Sequence, residues 1–157
     1  MAATHYSALQ RSFHWLIALL VLGNFGGAFI AENLGEESDA ARQIMGLHLS
    51  TGMLILLLVI ARLITRLAEK VPAPLESLPA WQKRLAVAGH RLLYLLVLLM
   101  PVSGYLMVTA HGGEGPGFYG LFQFPALVDE NEGLNEFAHE VHGILAWVFL
   151  ITIAGHA

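Results

Sequence analysis

The chain has 157 residues, 56% of them hydrophobic and 13% charged, with a net charge of −4 and a mean hydropathy of +0.62. A soluble domain carries about a quarter charged residues, so the composition excludes an ordinary water-soluble protein and offers no basic surface for nucleic acid. Cysteine is absent, which removes disulfides, thiolate zinc sites, iron–sulfur clusters and covalent haem attachment through C-x-x-C-H.

Four apolar segments follow in chain order, at about 13–31, 44–66, 85–110 and 137–157. Each is close to or longer than the roughly 20 residues that cross about 30 Å of hydrocarbon. A backbone in lipid must satisfy its own hydrogen bonds, so the segments are expected to be helices. The opening stretch "MAATHYSALQRSFHWLIALLVLGNFGGAFIA" has one arginine before its apolar run and charged "EN" after it, which reads as a retained first span and not a cleaved signal. The third segment contains Pro101 and Gly104, predicting a kink or a broken upper end. Before it, "EKVPAPLESLPAW" reads as an irregular surface crossing. After it, "GPGFYGLFQFP" reads as a lid lying along the interface over the helix ends; an aromatic belt anchoring the bundle explains it equally well. The expected fold is therefore an all-α membrane protein, a four-transmembrane-helix bundle forming one domain over residues 1–157.

Charge gives the bundle a direction. Arg11, Arg62, Arg66, Lys70, Lys83, Arg84 and Arg91 lie at the N-terminus or around the second connection, whereas Arg42 stands alone among the acidic residues of the first. Residues 111–136 contain no basic residue. By the positive-inside rule, both termini and the second connection are cytoplasmic.

That orientation sorts the eight histidines. His14, His90 and His156 fall toward the inner leaflet, and His48 and His142 toward the outer. His5, His111 and His139 fall at or beyond the span ends. His142 and His156 are fourteen residues apart, about 40° short of four full turns and about 21 Å along the helix axis, so they share a face at two depths. His48 matches His142 in depth, and His14 matches His156. Two bis-histidine sites stacked in a four-helix bundle are a common setting for haem, here two non-covalent b-type haems per chain. A proton or metal transport path would instead call for carboxylates among these histidines; none lies mid-span, and Glu140 sits near the outer edge.

Arg62 lies fourteen residues after His48, on the same face but at the inner level, where a haem propionate would pair with it. Arg91 and Arg11 are further candidates for that role. Gly52, one turn after His48, leaves room for a flat macrocycle, although close helix packing is the simpler explanation of such a glycine.

The stretches "HWLIALLVLGNF", "HLSTGMLILLLVIARLITR", "GHRLLYLLVLLMPVSGYLM" and "VHGILAWVFLITIAGHA" together resemble the prokaryotic cytochrome b561 family over essentially the whole chain. The resemblance implies a multi-pass dihaem cytochrome of the bacterial inner membrane that exchanges electrons with ubiquinone or another quinone. It implies ligation of the inner haem by His14 and His156 and of the outer haem by His48 and His142. It also raises superoxide oxidation at the periplasmic face. Two features depart from the family. The outer connections "ENLGEESDAAR" and "LVDENEGLNE" are acidic, whereas a site that collects the superoxide anion should be electropositive; as donor, a small basic redox protein suits this face about as well. The chain also stops at "GHA", one residue after the last histidine, which suggests that further sequence follows.

Quinone reduction needs an apolar pocket with a few titratable groups beside one haem. His90, Arg91 and Trp81 are the inner candidates and His111, His139 and the aromatic connection the outer ones, with His90 preferred. A competing expectation is a haem-bearing membrane anchor that passes electrons from a separate dehydrogenase or hydrogenase; a haem-free, histidine-lined transporter is a third.

Overall fold

The computed structural model describes residues 5–35, 37–69 and 79–156. It contains four helices, α1 (Ala8–Leu34), α2 (Asp39–Ala68), α3 (Ala80–Ala110) and α4 (Glu132–His156). A small hairpin, β1 (Gly117–Phe118) paired antiparallel with β2 (Phe122–Gln123), stands between α3 and α4. All four helices are long and apolar enough to cross a membrane.

Each helix begins before the apolar stretch that announces it, and polar caps start three of the four. The Ser7 side chain accepts from Gln10 N and Ser38 accepts from Ala41 N, while Asn131 Oδ1 accepts from Leu134 N at 2.9 Å. Each bond satisfies one of the donors left free at a helix start. Pro79 precedes α3 without a side-chain cap. At 25 to 31 residues, the helices exceed the hydrocarbon thickness, so their ends reach the headgroup layers. α3 is not broken at Pro101, as the sequence suggested it could be; it continues as one helix to Ala110. The proline-rich residues 70–78 lie outside the described residues.

The helices pack in the order α1–α2–α3–α4. Across the remaining seam, α1 meets α4 through side chains, with Phe25 edge-on to Phe149 at 5.8 Å between ring centres. A thin apolar core joins Ile17, Val21, Ile55, Val59, Leu96, Val97 and Phe149. Around it the surface is apolar: Leu19, Phe29, Trp147 and Ile151 are all about two-thirds exposed, as lipid-facing side chains should be.

The connection expected to lie flat as a lid is the hairpin instead. Tyr119 and Gly120 both have positive φ, at 50° and 74°, and Leu121 N donates to Phe118 O at 2.9 Å; this is the reversed turn whose twist suits paired strands. The hairpin docks on α2, where Ser50 Oγ donates to Gly117 O and accepts from Tyr119 N, both at 3.0 Å. It does cover one end of the bundle, since Pro116 lines the cavity beneath it.

At the opposite end α1 is tied to α2. The Glu69 carboxylate accepts from Ser7 Oγ at 2.6 Å and from Gln10 Nε2 at 2.7 Å, and Gln10 is buried. Replacing Glu69 by Ala strands the Gln10 amide and should destabilise the fold by about 1–3 kcal/mol. Equilibrium unfolding in mixed micelles reads this directly; Glu69→Gln, which keeps an acceptor oxygen, should lose less.

Candidate functional site

Histidines line a cavity toward each end of the bundle. The end with the hairpin is acidic; the end with the chain's N-terminus is basic.

At the acidic end the rings of His48 on α2 and His142 on α4 face each other with centres 6.3 Å apart. Each ring is fixed by its Nδ1. His48 Nδ1 lies 3.2 Å from Asn24 O, and His142 Nδ1 lies 2.9 Å from Ser103 Oγ, whose own hydroxyl donates to Met100 O. In both cases Nδ1 carries the proton, which leaves the Nε2 lone pair free. Gly104 makes room for the His142 ring, since a Cβ there would stand 3.2 Å from His142 Cε1. Between the rings is a narrow slot of about 60 Å³, lined also by Gly52, Tyr105 and Pro116. A Cβ on Gly52 would meet Asn24 Nδ2 of α1 at 4.0 Å, an ordinary van der Waals distance.

At the basic end His14 on α1 and His156 on α4 have ring centres 6.3 Å apart, and His90 on α3 approaches His156 to 5.1 Å. These three histidines line a chamber of about 340 Å³. The chamber is also lined by Arg11, Arg62, Arg66 and Tyr94. Arg91 and Trp81, both inner-site candidates from the sequence, do not line it; Arg91 is one residue round the helix from His90 and exposed. Arg66 and Tyr94, which sequence reasoning did not single out, do line it. The Arg62 and Arg66 guanidiniums sit over the Tyr94 ring at 5.5 and 5.7 Å. Tyr94 Oη is buried with no hydrogen-bond partner among the described residues. Arg62 Nη1 lies 3.1 Å from His14 Nδ1; since a guanidinium only donates, this contact requires a lone pair on that nitrogen. At the other end His111 and His139 are exposed and do not line the slot.

Val21, Val97 and Phe149 line both cavities. They form the wall between the two, completed by Ile55 on the slot side. Each lies seven residues from a site residue on its own helix: His14–Val21, His48–Ile55–Arg62, His90–Val97–Gly104 and His142–Phe149–His156. Seven residues are about two turns, so each helix keeps its site residues and its wall residue on nearly one face.

The donor set fits b-type haem. Two imidazoles bonded to opposite sides of one metal at about 2 Å, with ring centres about 1.2 Å beyond the nitrogens, stand about 6 Å apart. Both facing pairs have that spacing. Two cations and an orphaned hydroxyl around the basic chamber suit a carboxylate-bearing cofactor. Among the described residues no cluster of histidine and carboxylate suits a bare metal ion.

A four-helix membrane bundle with histidines paired at two levels is the architecture of a membrane cytochrome b. The sequence matches the prokaryotic cytochrome b561 family over residues 5–157, and the chain belongs to that family. It is accordingly a multi-pass bacterial membrane protein that carries b-type haem and serves electron transport. It is 31% identical to cytochrome b561 homolog 2 of Escherichia coli (strain K12), across 96% of this chain and 80% of that one. It is 29% identical to a protein of Yersinia pestis named "Probable superoxide oxidase CybB", across 97% of this chain and 84% of the relative. Cytochrome b562 of Cereibacter sphaeroides is 35% identical over 69% of this chain and 67% of its own.

Gly104 offers a test of the slot. Gly104→Val should displace the His142 ring and lower the haem content of the purified protein. Gly104→Ala, which demands a shift of a few tenths of an ångström, should retain the haem with an altered reduced spectrum.

Proposed function

We propose that this chain is a dihaem cytochrome of the bacterial inner membrane, with both termini cytoplasmic, that transfers electrons between a periplasmic partner and the quinone pool. The observation that carries the reading is the equal 6.3 Å spacing of two histidine pairs at opposite ends of the bundle. In it, His48 and His142 hold the outer haem, and His14 and His156 the inner. A b-type haem held by such a histidine pair would supply a one-electron iron couple suited to electron exchange.

The chain's own residues do the rest. Asn24 O and Ser103 Oγ accept the Nδ1 protons of His48 and His142 and so aim their Nε2 atoms into the slot. Gly52 and Gly104 supply the width. At the inner end Arg62, Arg66 and Tyr94 bind propionate, and turning Arg62 toward that carboxylate releases the His14 ring to ligate through Nε2. Arg11 at the chamber's rim adds a further positive charge for anionic groups. His90 is proposed to serve the quinone. Its Nδ1 donates to Ala86 O at 2.6 Å, so its Nε2 lone pair is left to accept the O–H of a quinol, and it lines the same chamber as the inner pair.

The electron donor follows from the sign of the outer surface. Glu32, Glu37, Asp39, Glu114, Asp129, Glu130, Glu132, Glu136 and Glu140 lie there, with Arg42 as the cation among them. Such a field attracts a small basic redox protein and repels an anion. Superoxide:ubiquinone oxidoreduction is the second reading, favoured by the relative whose name states it. The two respond oppositely to salt. Reduction by a basic cytochrome should slow as ionic strength rises, whereas superoxide consumption should quicken. Quinone reduction by the purified chain with a soluble donor alone would count against the alternative role of a haem-bearing anchor for a separate dehydrogenase.

The decisive measurement is haem per chain after mild extraction, expected to be two, both low-spin. His48→Ala or His142→Ala should remove one haem and leave the other spectrally intact. Loss of both from a folded protein would contradict separate sites. Arg62→Leu should lower the midpoint potential of the inner haem alone, because a nearby cation favours the reduced iron.

A further inference from the structure

The two cavities share a wall, and one aromatic side chain stands at its centre. Phe149 is 5% exposed, lines both cavities and meets Phe25 edge-on at 5.8 Å. It falls seven residues from His142 and seven from His156, hence about 10.5 Å along the axis from each. Val21, Ile55 and Val97, at 6%, 5% and 9% exposure, complete the layer with one residue from each other helix. Those three are aliphatic and branched, and Phe149 alone brings a ring to the layer. None of the four carries a polar atom in its side chain, so the layer also keeps water from joining the two levels.

We propose that this layer is the septum between the two haem sites, and that the Phe149 ring sets the gap an electron crosses between them. The inference rests on the dihaem reading. One electron leaves the reduced iron at one level and reduces the oxidised iron at the other; no bond forms or breaks and no proton moves in the septum. Packed atoms carry electron amplitude farther than empty space does. A ring filling the midpoint therefore couples the sites, while its rigid bulk keeps the macrocycles from sliding together. Phe149 is on this view a positioning residue, not a ligand.

The test compares Phe149→Leu and Phe149→Tyr in the haem-loaded protein, with Val97→Ala opening the same wall from α3. After reduction by a light pulse, electron equilibration between the haems should slow severalfold in Phe149→Leu and in Val97→Ala. It should stay near the parent rate in Phe149→Tyr, which keeps the ring. Both haems should be retained, each with its own potential little changed, and magnetic coupling between the oxidised irons should show a broader spread of separations in Phe149→Leu. Ile151→Ala, on the lipid face, should change none of these. An unchanged rate in a two-haem Phe149→Leu protein overturns the septum. So does selective loss of one haem, which would make Phe149 the wall of that site alone. A parent protein without two haems would fail the dihaem reading itself, a result distinct from either.

Discussion

An imidazole lone pair facing the inside of a lipid-embedded bundle is the constraint from which the rest of this structure follows. In hydrocarbon no water can satisfy it, and polar groups placed there pair with one another or with something bound. This chain carries such groups at two levels, and pairing them at both demands that α4 present the same face twice, two turns before and two turns after Phe149. The sevenfold spacing on α2, α3 and α4 answers that demand. It orders four helices around two cavities whose core between them is one layer thick.

The two ends hold their histidine pairs differently. At the acidic end both rings are locked through Nδ1 by neutral acceptors, and glycines on α2 and α3 leave a slot of about 60 Å³. Nothing there requires a further anion. At the basic end the chamber is about 340 Å³, with two guanidiniums stacked on one tyrosine ring. Clustered cations in an apolar chamber repel one another and are stable only when an anion joins them. The difference agrees with the proposal that one end exchanges electrons through a rigid contact and the other accommodates a quinone.

Much of this could be read before any coordinates. Apolar length disclosed the four helices, and charge asymmetry distinguished the two ends. The fourteen-residue interval between His142 and His156 disclosed two levels on α4. Helix ends were set too far inward, since Ser7, Ser38 and Asn131 are polar and a hydropathy reading stops before the cap that starts the helix. The hairpin was missed because its turn is Tyr119–Gly120, and a tyrosine at positive φ is a weak turn signal. It is held by Ser50 and Thr51 of α2, contacts far away in sequence. At the basic end, Arg91 drew notice as a charge next to His90, but adjacent helical residues point about 100° apart. Tyr94, one turn beyond His90, is the residue that shares its face. It carries no charge to advertise itself; its unpaired hydroxyl is visible only once α2 brings Arg62 and Arg66 over the ring.

The same arithmetic that stacks the histidines leaves the middle of each helix no freedom. A residue two turns from a site on either side must be apolar, to seal the levels from each other, and must fit against three counterparts from the other helices. Val21, Ile55 and Val97 meet both conditions with branched side chains, which are stiff and fill a layer without reaching into either cavity. A fourth branched aliphatic would close the layer equally well as a barrier to water. Phe149 instead spans the seam where α1 and α4 stand apart, reaching Phe25 across it. The seam between α1 and α4 is thus closed at its midpoint by a side chain long enough to bridge it, and on the dihaem proposal stability and electronic contact depend on the same ring.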